Sequence, residues 1–359
     1  MCGIVGIIDQ RGAGRADPAL VRAMSQTIAH RGPDGDGFFQ WPASAPRVAL
    51  GMRRLSIIDL NTGDQPIFNE DRSLALVFNG EIYNYVELRK ELETRGHTFR
   101  TQADTETLVH AYEEFGLDVF GHLRGMYAFA LWDERAERLV LAVDHVGIKP
   151  LYLAEHDGRL LFASEVKALF ADPSLPRRLN LATLDTFLSF GYMIGTDTLY
   201  EGIRRLPPGH ALIVEGGGTR LVEHWNTRYP TPLDRPTGRE AVVAEARERL
   251  MDSVRLHLRS DVPLGLFLSG GVDSATMLAL MSRLEPGRIQ TFSVGYDVGR
   301  GAENPDDETL NARRIAGHFG ADHHERIITA DDWWDFLLAY VYHHDEPNAN
   351  PSIISLQAL

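Results

Sequence analysis

The chain has 359 residues and a formal net charge of −14, and its length predicts two domains that can each bury a core. An acidic chain without a basic patch argues against nucleic acid as its main partner, and no apolar run is long enough to predict a membrane span. A single cysteine and the absence of a signal-peptide pattern lead us to expect a protein of the reducing cytoplasm.

The first half of the chain predicts many short strands and few helices. Asp17-Pro18 is a helix-start pattern, and two later helices are expected to end at Gly96 and Gly116. Many strands with few, bunched helices favour a layered α+β domain over alternating βαβ units. The strand-like runs are residues 2–8, 48–58, 74–78, 127–132, 139–143, 150–154 and 160–164.

The composition changes at residues 226–238, where Pro, Thr and Gly crowd together. We assign residues 1–210 to the first domain, 211–238 to a connecting segment and linker, and 239–359 to the second domain. There, helices alternate with apolar strands at 264–268, 290–296 and 325–329, which is typical of an α/β doubly wound nucleotide-binding domain. Three strands make a small sheet for that class, so we expect the domain to be incomplete at its C-terminus.

The one cysteine is residue 2. Removal of Met1 would place a thiol and a free α-amino group on one carbon atom. An α-amino group titrates near about pH 8, so it could accept the thiol proton at neutral pH. A lone cysteine near a terminus can also arise by chance, and other motifs have to decide between the two interpretations.

Polar groups suited to binding an amino acid are scattered through the first half. Arg54 offers a guanidinium for a carboxylate, Asn79 and Gly80 offer an amide and a backbone N–H for an oxyanion, and Asp104 offers a carboxylate for an ammonium group. Each has a structural alternative. Arg54 could form a surface ion pair, Asn79-Gly80 is a common hairpin turn, and Asp104 could be a helix N-cap.

The strongest local motif is SGGVDS, residues 269–274, between an apolar strand and a helix. Backbone N–H groups and the helix dipole converge at such a loop, while Ser269 and Ser274 add hydroxyls and Asp273 could hold Mg²⁺. No Gly-Lys-Ser/Thr follows, so this is not a Walker loop. The adjacent histidines at 323–324 and 343–344 are not expected to bind metal, since neighbours on a strand point to opposite faces.

Together these motifs resemble a known family. Residues 1–210 are similar to a class II, N-terminal-nucleophile glutamine amidotransferase domain, and SGGVDS is similar to the pyrophosphate loop of ATP pyrophosphatases. The whole chain resembles the glutamine-hydrolysing asparagine synthetase family. The supporting stretches include MCGIVGI, HRGPDG, RRLSIIDL, FNGEIYNY, DTETLVHAYEEFG, GIKPLYL, FASEVKAL and DVPLGLFLSGGVDS.

The resemblance implies a layered αββα first domain and a role for each matched residue. Cys2 would be the nucleophile, Asn79 and Gly80 the oxyanion hole, and ATP with Mg²⁺ would bind the second domain. Glutamine would be held by Arg54, Asn79, Gly80, Glu81 and Asp104. ATP would be held by Leu268, Ser269, Gly270, Gly271, Val272, Asp273, Ser274 and Val294, with Asp273 as the Mg²⁺ ligand.

The implied reaction makes asparagine from aspartate, glutamine and ATP, with small molecules as partners and a homodimer as the expected assembly. The resemblance also implies that the chain of family members continues past the position of Leu359, and that this further part carries a second nucleotide-binding loop. Asn350 stands where relatives commonly have an acid, so a different carboxylate acceptor, as in amidotransferases of polysaccharide or protein-sorting clusters, stays open. A glutaminase joined to a non-catalytic nucleotide-binding or docking module is the third alternative.

Overall fold

The computed structural model describes residues 1–229, 238–285, 287–297 and 308–350. The chain divides into two compact units, Met1–Arg228 and Tyr229–Leu359. Most of the predicted linker, at residues 230–237, lies outside the described residues, as does the C-terminal end at 351–359.

The first unit contains two six-stranded sheets whose neighbouring strands pair antiparallel. The strand order is β10-β8-β9-β1-β3-β2 in one sheet and β12-β11-β7-β6-β5-β4 in the other. The strands are β1 (Gly3–Asp9), β2 (Gly35–Trp41), β3 (Val48–Arg54), β4 (Ile67–Phe68), β5 (Leu74–Ile82), β6 (Gly125–Asp133), β7 (Arg138–Val143), β8 (Tyr152–His156), β9 (Arg159–Ala163), β10 (Ile203–Arg205), β11 (His210–Glu215) and β12 (Gly218–Glu223).

Helices cover the outer faces of both sheets: α1 (Pro18–Thr27) and α4 (Val166–Leu169) on the first, and α2 (Tyr85–Thr94) and α3 (Asp104–Phe115) on the second. The remaining helix, α5 (Leu181–Phe190), contributes no residue to these cores. Successive residues of a strand point to opposite faces, so β1 directs Val5 toward the layer of α1 and Ile4 toward the opposite sheet. The cores therefore form αββα layers, which confirms the predicted α+β class. The N-cap of α1 is Asp17, which accepts a hydrogen bond from the Ala19 N–H at 2.8 Å.

The predicted boundary at residue 210 is wrong. β11 pairs with β7 and β12 pairs with β11, so both strands extend the second sheet of the first unit. Ala211 and Ile213 are buried in the core under α2 and α3. Residues 211–223 therefore belong to the first unit. Without them, β7 would be an edge strand with unpaired backbone groups.

Asn79 and Gly80 lie inside β5 and not at a hairpin turn. β5 pairs with β6 along its whole length, from Leu74 opposite Asp133 to Ile82 opposite Gly125. The hairpin interpretation is therefore wrong. Asp104 is not an N-cap either, because the N-cap of α3 is Ala103 and Asp104 is the first helical residue.

The second unit has the predicted alternation of helices and parallel strands. Its sheet order is β13-β14-β15, and both pairs are parallel. Its elements are α6 (Arg239–His257), β13 (Gly265–Phe267), α7 (Val272–Leu284), β14 (Gln290–Tyr296), α8 (Thr309–Phe319), β15 (Asp322–Ile328) and α9 (Ala330–His344). Among the helices of the described residues, none is both long and apolar enough to cross a bilayer.

Trp132 tests how strongly the two sheets of the first unit depend on the core between them. It is fully buried there, and its ring lies 5.2 Å from that of Trp41. We expect Trp132→Ala to lower the free energy of unfolding by about 3–5 kcal/mol through the cavity it leaves. Trp132→Phe should cost clearly less, because it keeps a ring in the core and Trp132 Nε1 has no hydrogen-bond partner in the described part of the chain.

Urea unfolding followed by circular dichroism would measure both changes. Val146→Ala is the control, since Val146 is largely exposed and should shift the transition by no more than about 0.5 kcal/mol. Equal, small losses for both tryptophan variants would contradict the packing described.

Candidate active site

Cys2 lies immediately before β1, and its half-buried side chain packs against the core between the two sheets. β1 pairs with β3 so that Gly3 is opposite Arg53, which places Cys2 beside the end of β3. There the Leu55 N–H donates to Cys2 Sγ at 3.3 Å. The sulfur is thus held by the chain that follows β3.

The main chain at Cys2 is anchored by residues distant in sequence. Arg31 Nε donates to the Cys2 carbonyl oxygen at 2.9 Å, and Arg31 Nη1 donates to Glu165 Oε1 at 2.8 Å. Lys167 also contacts Glu165, and the Ile4 N–H donates to Ser164 Oγ at 2.9 Å. The HRGPDG and FASEVKAL stretches therefore position the start of β1. Both stretches carry the family resemblance, but nothing in their sequence predicts a role for Arg31 or Glu165.

Burial sets the protonation of the groups at this terminus. It raises the pKa of the Cys2 thiol, an effect that the hydrogen bond from Leu55 partly opposes. Burial also lowers the pKa of the amino-terminal amine, which in this chain belongs to Met1. A larger fraction of an amine in this environment is therefore unprotonated at neutral pH, and so able to accept a proton, than of a solvent-exposed one.

A cavity of about 90 Å³ opens beside Cys2. It lies at the end of the core between the sheets and is lined by every residue predicted to act on glutamine. These residues are Cys2, Arg54, Asn79, Gly80, Glu81 and Asp104. The structure thus brings together positions that span more than a hundred residues of sequence.

One edge of β5 faces this cavity. β4 pairs only with Ala75 and Leu76 of β5, so among the described residues no strand lies beside the rest of that edge. The Phe78 N–H donates to Gln65 Oε1 at 2.7 Å, and the Ile82 N–H donates to Asp104 Oδ2 at 2.8 Å. Since N–H groups of an antiparallel strand point alternately to its two sides, the Gly80 N–H points to the same edge, between those two side chains.

Asn79 and Gly80 supply two donors at neighbouring positions. Asn79 Nδ2 is buried and has no hydrogen-bond partner within the described residues. A Cβ atom on Gly80 would lie 2.1 Å from the Met126 carbonyl oxygen, so only glycine lets β5 and β6 approach this closely. A side-chain amide and a backbone N–H aimed at one cavity are suited to stabilising an oxyanion.

Two acids also line the cavity, the buried Asp104 and the half-buried Glu81. Burial raises the pKa of Asp104. Burial, and then the neighbouring Asp104 charge, raises that of Glu81, with Lys149 acting in the opposite direction. Glu81 Oε2 has no hydrogen-bond partner in the part of the chain that the structure describes. Two adjacent carboxyl groups with raised pKa values would each gain from a bound cation such as an ammonium group.

Arg54 is buried and held at the side of the cavity. Its guanidinium donates to Asp64 Oδ1 at 2.9 Å and to the carbonyl oxygens of Ile58 and Asp59. Asp64 itself is largely exposed, with 85% of its side chain accessible. Arg54 does form an ion pair, as the surface ion-pair interpretation expects. That interpretation is wrong in placing Arg54 on the surface, because its side chain is buried.

Lys149 is a cavity residue that sequence reasoning missed. It is almost fully buried, and its Nζ lies 3.0 Å from Met1 Sδ. Burial, followed by the nearby Arg31 charge, lowers its pKa. GIKPLYL was the only signal for it, and nothing in the spacing of that stretch relates residue 149 to residue 2 or residue 81.

In the second unit, SGGVDS joins β13 to α7, as predicted. Gly270 has φ +78°, and a Cβ atom on it would lie 2.9 Å from the Glu308 carbonyl oxygen. Ser274 Oγ lies 3.2 Å from both Ser269 N and Ser269 Oγ, so the two serines close the loop. The N-cap of α7 is Gly271, which makes no side-chain capping bond, and Asp273 is exposed in the first turn.

This loop fits a phosphate group by its donors. With no side-chain cap, the first N–H groups of α7 are left for another acceptor, and the helix dipole favours an anion there. Leu268 precedes the loop, and its N–H donates to the Phe292 carbonyl oxygen at 2.8 Å. Leu268 thus lies beside β14, the strand that carries Val294.

The chain matches two family models, a glutamine amidotransferase domain over residues 1–226 and asparagine synthase over residues 245–359. It is 36% identical to glutamine-hydrolysing asparagine synthetase 1 of Bacillus subtilis, over 99% of this chain and 55% of that protein. It is 34% identical to Amidase chry2 of Gibberella zeae, over 90% of this chain and 50% of that protein.

Among solved structures, the chain is similar to the allosteric regulatory enzyme of purine biosynthesis, with 18% identity and a TM-score of 0.48 over 91% of this chain and 80% of that one. The chain spans about half the length of the curated relatives it matches. Both family models match in the order that the structure shows, with the amidotransferase domain first. The chain thus belongs to the glutamine-hydrolysing asparagine synthetase family.

Proposed function

We propose that the protein carries out glutamine-dependent, ATP-dependent amide synthesis, with aspartate as the acceptor and asparagine as the product. The observation that carries the proposal is the cavity at Cys2. It combines a thiol, two oxyanion donors, a guanidinium and a pair of acids around one cavity. These are the groups needed to recognise an α-amino acid and to cleave an amide at the end of its side chain.

Glutamine would bind with its α-carboxylate toward Arg54 and its α-ammonium toward Asp104 and Glu81. Its side-chain amide would then reach Cys2. Because the two carboxyl groups are shielded from water, a bound ammonium group would stabilise their ionised forms. Arg54 is held in place by carbonyl oxygens. Specificity for an α-amino acid follows from having both charges matched.

The hydrolytic half begins with removal of Met1, which gives Cys2 a free amine. That amine takes the thiol proton, and the thiolate attacks the amide carbon of glutamine. Asn79 Nδ2 and the Gly80 N–H stabilise the oxyanion that forms. The proton then passes to the leaving nitrogen, ammonia departs, and water hydrolyses the γ-glutamyl thioester to give glutamate and the free thiol.

The synthetic half uses the SGGVDS loop. ATP would place its β- and γ-phosphates at the N-terminus of α7, with Asp273 holding the accompanying Mg²⁺ and Leu268 and Val294 beside the nucleotide. The acceptor carboxylate attacks the α-phosphorus and releases pyrophosphate. Ammonia then displaces AMP from the acyl-adenylate to form the amide.

A second acceptor class is supported by one observation. A relative named an amidase, Amidase chry2, is 34% identical to this chain over 90% of its length. Proteins of similar sequence thus carry different names, although this name gives no acceptor. A carboxylate other than aspartate is the alternative acceptor that we propose to test.

Replacement of Cys2 tests the hydrolytic half. We expect Cys2→Ala to lower glutamine hydrolysis by at least about a thousandfold, because the thioester cannot form. Release of glutamate is the measurement, and mass spectrometry of the wild-type protein should show that Met1 is absent. Ammonia-dependent amide formation should persist in the variant, which controls for misfolding. Glutamate release at the wild-type rate would overturn the role of Cys2.

The acids predict how glutamine binding depends on pH. Their pKa values are raised, to about 8 for Glu81 and about 6 for Asp104, and the ammonium group binds their ionised forms. The Kd for glutamine should therefore increase as the pH falls from about 8 to 6. Calorimetry on Cys2→Ala would measure binding without turnover and without titration of the thiol.

Glu81→Gln, made in the same Cys2→Ala background, is the matched variant. It should weaken binding and remove the pH dependence between pH 7 and pH 9, because the group that titrates there is gone. An unchanged pH profile in this variant would assign the titration to another group.

Asp273 tests the synthetic half. Asp273→Ala should reduce the exchange of pyrophosphate into ATP by at least about a hundredfold, since the Mg²⁺ that accompanies the nucleotide loses a ligand. Glutamine hydrolysis should be unchanged. Asp335→Asn, at an exposed acid of α9, is the control. Comparing aspartate with other carboxylic acids in the same exchange identifies the acceptor, and full exchange in Asp273→Ala would reject its role.

A further inference from the structure

Two histidines and two glutamates meet on the first unit, outside the cavity at Cys2. Glu70 follows β4, His97 follows α2, and His110 and Glu113 lie one turn apart on α3. We call these four residues the His–Glu cluster. One ligand atom from each lies within 4.8 Å of all the others.

The distances within the cluster match the spacing of ligands around one small ion. Nδ1 of His97 and Nδ1 of His110 each lie 3.2 Å from a carboxylate oxygen of Glu70. Both also lie 3.9 Å from Glu113 Oε2. Ligands about 2.1 Å from a tetrahedral zinc ion are separated by about 3.4 Å, so the four atoms need only small shifts to reach that geometry.

Hydrogen bonding within the protein leaves the cluster incomplete. His110 is only 1% exposed, and although its Nδ1 lies close to Glu70, neither ring nitrogen makes a hydrogen bond of good geometry in the described part of the structure. Glu113 Oε2 is also buried without one. Buried polar atoms are almost always satisfied, so His110 Nδ1 and Glu113 Oε2, which both face the cluster, indicate a missing ligand.

The surroundings resemble the outer environment of metal-bound histidines. The second ring nitrogen, Nε2, lies 3.6 Å from Glu106 Oε1 in the case of His110 and 3.6 Å from Glu114 Oε2 in the case of His97. Carboxylates placed behind metal-binding imidazoles orient the rings and increase their basicity. Each histidine therefore has one nitrogen for the cluster and one facing a carboxylate.

The charge of the cluster also favours a cation. Glu70 and Glu113 bring two carboxylate groups to within 4.8 Å of each other, beside the two imidazoles. A divalent ion between them would be attracted to both carboxylates.

We propose that the His–Glu cluster binds one divalent transition-metal ion, with Zn²⁺ as the best fit. Two imidazole nitrogens and two carboxylate oxygens are a zinc-type donor set, and all four positions are filled by protein, as in a structural site. The ion would tie the segments after β4 and α2 to α3. This site is independent of the proposed reaction, because none of its four residues lines the cavity at Cys2.

Zinc binding by the purified protein tests the proposal. After removal of metal and titration with Zn²⁺ against a competing chelating dye, we expect one ion bound per chain. The ion should also raise Tm by about 5 °C or more at saturation. Replacement of zinc by Co²⁺ should give the intense visible bands of four-coordinate cobalt. The same result is expected in Cys2→Ala, which excludes binding by the only thiol.

Variants assign the site. His97→Gln, at the more exposed edge, and Glu113→Gln, which keeps its shape, should each weaken zinc binding by about a hundredfold or more and abolish the rise in Tm. His210→Gln is the control, since His210 also lies beside a glutamate, 3.7 Å from Glu223, but outside the cluster. Absence of a bound ion, loss of binding in Cys2→Ala, or equal affinity in both cluster variants and wild type would overturn the proposal. The cluster would then be a network of charged hydrogen bonds.

Discussion

The unpaired edge of β5 is the constraint on which the first unit's chemistry depends. A strand inside a sheet uses its N–H groups on both sides, and β4 stops after contacting two residues of β5. The N–H groups that follow must find other acceptors. Gln65 and Asp104 satisfy two of them, and the position between them, Gly80, faces the cavity. Because β4 is short, backbone N–H groups of β5 remain available to line the cavity.

The same edge also sets the position of α3. Asp104 accepts from the Ile82 N–H and is the first residue of that helix, so the acid at the cavity and the helix start share one contact. Further along α3, His110 and Glu113 belong to the His–Glu cluster. One helix thus connects the cavity at Cys2 to the proposed metal site, with both fixed against β5 and the segment that follows β4.

The sequence alone predicts those elements that are determined by residues close together in the chain. The N-cap Asp17 with Pro18, the alternating apolar strands and the SGGVDS loop between strand and helix all depend on neighbours in sequence. It leaves alternatives open where pairing between distant segments decides. Asn79-Gly80 is also a common hairpin sequence, and the pairing of β5 with β6 rules out that alternative. Arg31 and Glu165, 134 residues apart, could not be related before the fold was known. From sequence, residues 211–223 are assigned to the connecting segment because their pairing with β7 is visible only in the structure.

The hydrogen bonds that hold the start of β1 do not depend on Met1. Arg31 donates to the carbonyl oxygen of Cys2, and the Ile4 N–H donates to Ser164, so both hydrogen bonds lie after the peptide bond that the proposed removal of Met1 would cut. That removal would take away the contact between Lys149 and Met1 but neither of these two. The sulfur would keep its place while the nitrogen beside it changes from an amide into an amine, so trimming would switch on a base without rebuilding the fold around it.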